Sequence, residues 1–272
     1  MFNDPRFGRR LARVAAIVAV LTLGAHVGRA QPTPAYAHRP PPAFSVDGQI
    51  ALHSLVSLSD GHLRKMADVL TMIARTDAAR MCDWDAIHAR LSEAATANVP
   101  AVLWFALPDG KLWSLKEGRV ATTIADRPYF PHVLAGETVI GSLVVSRSTN
   151  RNTAIVAVPI FGEEHEVVGL LGASVHLDSL AAVLRQEMGG LGDGLLFFAI
   201  DEKGLGALNS EPSLIFTEPL KLGDSGMRRA FEKILADQQG VVTYEFRGVE
   251  RTVLYQRSPV TNWSYGFGLL HR

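Results

Sequence analysis

Arg127, Tyr129 and Phe130 stand together in Asp126-Arg127-Pro128-Tyr129-Phe130, a guanidinium beside two aromatic rings. A guanidinium offers paired N–H donors that match a carboxylate, and rings give a small ligand apolar walls. Trp104, in the apolar run Ala101–Leu107, could add a wall or simply pack in the core. Ser146 and Thr149 could donate to a ligand or satisfy a strand end. Each charged group also has a structural reading. Arg127 could pair with Asp126 or Glu137, and Asp126 could cap the short helix that it opens. His132, after Pro131, reads as exposed or capping.

These residue types bind; they do not compose a reaction centre. The chain has no G-x-S-x-G, H-E-x-x-H, Walker or Rossmann pattern. Gly189–Gly194 is glycine-rich but follows a helix, which makes it a connection and not a phosphate cradle. Nine histidines are scattered without metal-ligand spacing. The sequence therefore predicts no catalytic residue, no metal site, no cofactor and no enzyme.

The elements that must position the arginine and rings follow from periodicity. Apolar residues from Ile50 to Ile73 recur at three and four, predicting one long helix over 48–77 with a kink or break at Asp60-Gly61. A second helix is predicted near 83–97, capped by Asp83. Strands follow at 101–107 and 112–115 around the turn Pro108-Asp109-Gly110-Lys111. A short helix at Asp126, strands near 139–147, 153–161 and 166–175, and a helix over 177–188 complete one unit. The order then repeats: strands at 195–201 and 205–209, a helix over 224–238, and strands at 240–247, 251–258 and 263–270. A helix crossing an antiparallel sheet, built twice behind a long N-terminal helix, is α+β architecture.

The ends and the composition bound the setting. Arg6, Arg9, Arg10 and Arg13 precede an apolar run of about 14 residues, and Gly28-Arg29-Ala30 has the shape of a secretory cleavage site. A spanning helix needs about 20 residues, so 1–30 reads as a cleaved signal peptide, the alternative being an uncleaved inner-membrane anchor. Residues 31–47 form a Pro-rich linker. A net charge of zero without a basic stripe argues against nucleic acid as a partner. The single cysteine, Cys82, excludes an internal disulfide and reads as a buried helical thiol.

The segments Pro108-Asp109-Gly110, Asp126–Phe130, Ser146–Thr149, Val158–Phe161 and Val167–Leu180 occur in an order and spacing that resembles a Cache domain. This is the PAS-like extracytoplasmic sensor module of bacterial chemoreceptors and histidine kinases. The whole of 48–270 is similar to the double-Cache arrangement. The resemblance implies a stalk helix (48–83), a membrane-distal module (84–188) and a membrane-proximal module (189–272). It also implies non-covalent binding between the distal sheet and the segment crossing it. Amino-acid-binding members carry Arg-x-Trp-Tyr for the ligand carboxylate and an aspartate for its ammonium. Here Arg127 matches the arginine, Tyr129 stands at the tryptophan, Phe130 at the tyrosine, and Ser174 where the aspartate is expected.

A buried ammonium without a carboxylate costs several kcal/mol, which a serine hydroxyl does not offset. The resemblance, so modified, implies a small organic acid and not a free amino acid. It further implies a periplasmic or secreted location and pairing of two copies along the N-terminal helix. The chain stops at Arg272 just after its last strand. The expectation is therefore a separate membrane signalling partner, such as a receptor or histidine kinase. The alternative function is a periplasmic interaction or assembly scaffold with a vestigial pocket.

Overall fold

Asp47 caps the first helix by accepting from the Gln49 amide at 2.8 Å, and 27 residues of unbroken helix follow as α1 (Gly48–Ala74). This is a computed structural model, and it describes residues 47–96 and 99–271. The expected signal peptide and nearly all of the linker lie outside the described residues. Leu52, Leu55, Val56, Leu63, Met66, Leu70 and Ile73 form the buried stripe of α1. The predicted kink at Asp60-Gly61 does not occur. Asp60 is on the buried face and fixed by Ser258, while Gly61 faces solvent, with open space where a β-carbon would stand.

Two short helices follow, α2 (Asp77–Arg80) and α3 (Trp84–Ala95), the second capped by Asp83 as predicted. Cys82 lies in the turn between them with φ of 55°, half-buried, and so is not the helical thiol expected. Burial raises its pKa.

The first sheet has six strands: β1 (Ala101–Ala106), β2 (Leu112–Ser114), β3 (Gly118–Val120), β4 (Val139–Val145), β5 (Asn152–Phe161) and β6 (Val167–His176). Their spatial order is β3-β2-β1-β6-β5-β4, all antiparallel. β3 is too short to carry an alternation legible in sequence. The short helix α4 (Phe130–Leu134) begins four residues later than Asp126, because Pro128 disfavours helical backbone at Arg127. Then α5 (Leu177–Glu187) leads to the second sheet: β7 (Leu195–Ile200), β8 (Gly206–Asn209), β9 (Gln239–Phe246), β10 (Val249–Arg257) and β11 (Ser264–His271). Its order is β8-β7-β11-β10-β9. Between β8 and β9 lie α6 (Pro219–Leu222) and α7 (Ser225–Ala236), the latter capped by Asp224.

The central strands of each sheet are buried on both faces, while β9 exposes one of its own. One core holds α1 against Leu103, Phe105, Val156 and Leu171 of the first sheet and Phe197, Tyr265 and Phe267 of the second. α7 covers the other face of the second sheet through Met227, Phe231 and Ile234. Over the outer face of the first sheet lie Ile124, Tyr129, Phe130 and Val133, packed on Trp104, Ile155 and Leu170. Among the described residues no helix is long and apolar enough to cross a membrane.

Candidate functional site

Alternation along β1 and β6 decides what faces the segment 122–134. Trp104 pairs with Gly172, and Val102 pairs with Ser174, so these residues share the sheet face opposite α1. Gly172 is required there. A β-carbon on it would lie 2.1 Å from the Trp104 ring, which occupies that space. The indole then donates from Nε1 to the Ser174 hydroxyl at 3.3 Å. Tyr129 stands beside it, ring centroids 6.2 Å apart.

A cavity of about 50 Å³ remains between this face and the crossing segment. Trp104, Arg127, Tyr129, Ser146 and Ser174 all line it, as do Arg147, Ser148 and Thr122. Phe130 and Thr149 do not. Phe130 opens α4 and points into the core with Val133, because it follows Tyr129 on the helical turn. The Thr149 hydroxyl is buried without a hydrogen-bond partner among the described residues. Ser146 accepts from the Thr149 amide, closing the turn between β4 and β5.

The ion pairing differs from both structural readings of Arg127. Asp126 receives Arg147 in a fork, with Nη1 donating to Oδ1 at 2.9 Å and Nη2 donating to Oδ2. Asp126 caps no helix. Glu137 takes His132 at 3.0 Å, on the surface as expected for that histidine. Arg127 donates one bond, from Nη2 to the Val145 carbonyl at 3.0 Å. Arg147 holds the Asp126 carboxyl below its ordinary range, and burial pushes the Tyr129 phenol up. Arg147 escaped the sequence reading, although it lies within Ser146–Thr149. The result is a wall with two guanidiniums, several hydroxyls and no carboxylate.

The fold also occurs in solved structures. No family model matches the sequence, and no curated protein matches it. The periplasmic sensory domain of the Campylobacter jejuni chemoreceptor Tlp1 superposes with a TM-score of 0.62 at 17% identity, over 82% of this chain and 92% of that one. The ligand-binding domain of the Pseudomonas aeruginosa amino acid chemoreceptor PctB, in complex with L-Arg, gives 0.67 at 12% identity, over 82% and 93%. The extracellular domain of a putative histidine kinase gives 0.67 at 17%, over 82% and 92%. The chain has the double-Cache fold. These structures are sensory, ligand-binding or extracellular domains of two chemoreceptors and a histidine kinase. Among the described residues no group of three or more His, Cys, Asp or Glu could hold a metal ion.

Proposed function

We propose that this chain is an extracytoplasmic sensing domain whose first module binds a small carboxylate without an ammonium group. The observation that carries this reading is the cavity wall itself: Arg127 and Arg147 line it, and no acidic side chain does. Arg147 is committed to Asp126, which leaves Arg127, with a single backbone acceptor, as the cation available to a ligand. Charge-assisted bonds to such a guanidinium contribute about 1.5–3 kcal/mol. An α-amino acid would bring its ammonium against two guanidiniums and the Ser174 hydroxyl. PctB binds L-Arg; this site, lacking a carboxylate, suits an acid alone. Residues 1–30 would act as a signal peptide and place the domain in the periplasm, where it would act with a membrane receptor or kinase. Pairing of two copies along α1 belongs to the same proposal.

One observation favours the scaffold alternative. A cavity of about 50 Å³ holds a few waters or a short-chain acid, far below the roughly 300 Å³ of ordinary ligand pockets. Thermal unfolding with acetate, propionate, lactate, pyruvate and L-alanine separates the two readings. Bound acid at about a hundred times its Kd adds about 2.7 kcal/mol of stability. The sensor reading expects stabilisation by at least one acid, none by L-alanine, and loss of the effect in Arg127→Ala. If no acid stabilises the protein, the scaffold reading stands; if Arg127→Ala keeps the effect, the acid binds outside the first-module cavity.

A further inference from the structure

The second module also encloses a cavity. A cavity of about 270 Å³ lies between the inner face of its sheet and the chain running from Asn209 to Met227. Leu196, Phe198, Met227 and Phe231 give it an apolar side, and Tyr244 and Arg251 enter it from neighbouring strands. Tyr244 and Arg251 are direct partners in the β9–β10 register. Arg251 has the parity of Val253 and Tyr255, which are buried against α7, so strand alternation sends a cation onto an apolar face.

Arg251 is only partly answered there, by a hydrogen bond to the Tyr244 hydroxyl. Its guanidinium lies over the Phe246 ring at 4.7 Å, and its Nε–H is buried with no hydrogen-bond partner among the described residues. The carboxylate nearest to hand, Glu211, accepts instead from Arg247 at 2.8 Å. Burial raises the Tyr244 phenol to about 12, against the opposing pull of the Arg251 charge and its hydrogen bond, so the phenol stays protonated and able to donate. A buried donor left without an acceptor is costly and uncommon in folded proteins. The Nε edge of a guanidinium, with one Nη, is the side that receives a carboxylate as a fork.

We propose that this cavity is a second ligand site, taking a monocarboxylate with an apolar or aromatic body. The carboxylate meets the Nε edge of Arg251 and the Tyr244 hydroxyl, and the body lies against Leu196, Phe198, Met227 and Phe231. Arg185, Glu211 and Asp193 also line the cavity, and the two carboxylates oppose a dianion such as inorganic phosphate more strongly than a monoanion. The site is independent of Arg127 and goes beyond the reading of the first module.

Isothermal titration of the whole chain with hexanoate, phenylacetate, phenylacetamide and inorganic phosphate tests it. The expected result is binding of hexanoate or phenylacetate, at least tenfold weaker binding of phenylacetamide, and none of phosphate. Arg251→Gln should weaken the acid at least tenfold, while Arg127→Ala, which removes the first-module cation, should leave it within twofold. Where Arg251→Gln does not fold, Arg251→Lys and Tyr244→Phe should each still weaken binding several-fold. The proposal is overturned if neither acid binds, if phosphate or phenylacetamide binds as well as the acid, or if the folded Arg251 and Tyr244 variants keep full affinity. It is also overturned if Arg127→Ala abolishes binding, which would move the acid to the first module and leave that reading intact.

Discussion

Ser258 Oγ lies 2.8 Å from both carboxylate oxygens of Asp60, joining the middle of α1 to the turn between β10 and β11. The same Oγ accepts from the amides of Val260 and Thr261, and one residue away on α1 the Tyr265 hydroxyl donates to Ser59 at 2.8 Å. This buried polar knot fixes the second module on the helix that also backs the first. Ser258→Ala leaves a buried carboxylate and two amides without their partner, which should cost about 1–3 kcal/mol. Urea unfolding measures it; a midpoint equal to that of the wild type would mean that water replaces the hydroxyl at no cost.

Asp60 also gives stability a pH dependence. Burial lifts its carboxyl above the ordinary value of 3.8, against the opposing Ser258 hydrogen bond and Arg64 charge. The folded state thus holds the proton more tightly than the unfolded state. The corresponding stability is full below the unfolded pKa and is lost as pH rises through the folded one. The stability of the wild type relative to Asp60→Asn should therefore fall as pH rises from about 4, then level off. A difference that grows with pH over that range would refute the sign.

Trp263 makes the other link between modules. Its indole, 1% exposed, donates to the Gly141 carbonyl at 3.0 Å, where β4 bulges and Gly141 has φ of +93°. Trp263→Phe keeps an aromatic ring but leaves that carbonyl without a donor, for an expected loss of about 1–3 kcal/mol. Hydrogen exchange should then show faster opening of the β4 amides; unchanged protection there would argue that the link is not structural.

Gly172 and Trp104 compete for one volume. Gly172→Ala should destabilise by about 1–3 kcal/mol, because the new methyl displaces the indole. The same change in a Trp104→Leu background should cost less. Additive costs in the double variant would show that the ring is not what the methyl meets.

Ser174→Asp should change the class of ligand. An aspartate there can accept from the Trp104 Nε1 that now donates to the serine, and it supplies the anion that an ammonium needs. Titration with L-alanine and propionate should show the amino acid gaining affinity at least tenfold relative to the acid. Unchanged preference would place the ligand away from Ser174.

Local chemistry wrote most of the fold into the chain. The apolar repeat of α1, the continuous apolar runs of β5 and β6, and the cap Asp83 depend on neighbours a few residues away, so the sequence alone determined them. Arg127, Tyr129 and Ser174 were recognisable because a motif fixes their spacing. The tertiary structure decided what depends on distance in space. Asp126 takes Arg147 and not its sequence neighbour Arg127, because the turn after β4 carries Arg147 onto its carboxylate. Phe130 turns into the core while Tyr129 lines the cavity, since Pro128 delays the helix. Arg251 becomes the cation of a second cavity only when register sets it opposite Tyr244 and α7 closes over both. Pairing, depth of burial and empty volume are properties of packed surfaces, and no run of residues encodes them by itself.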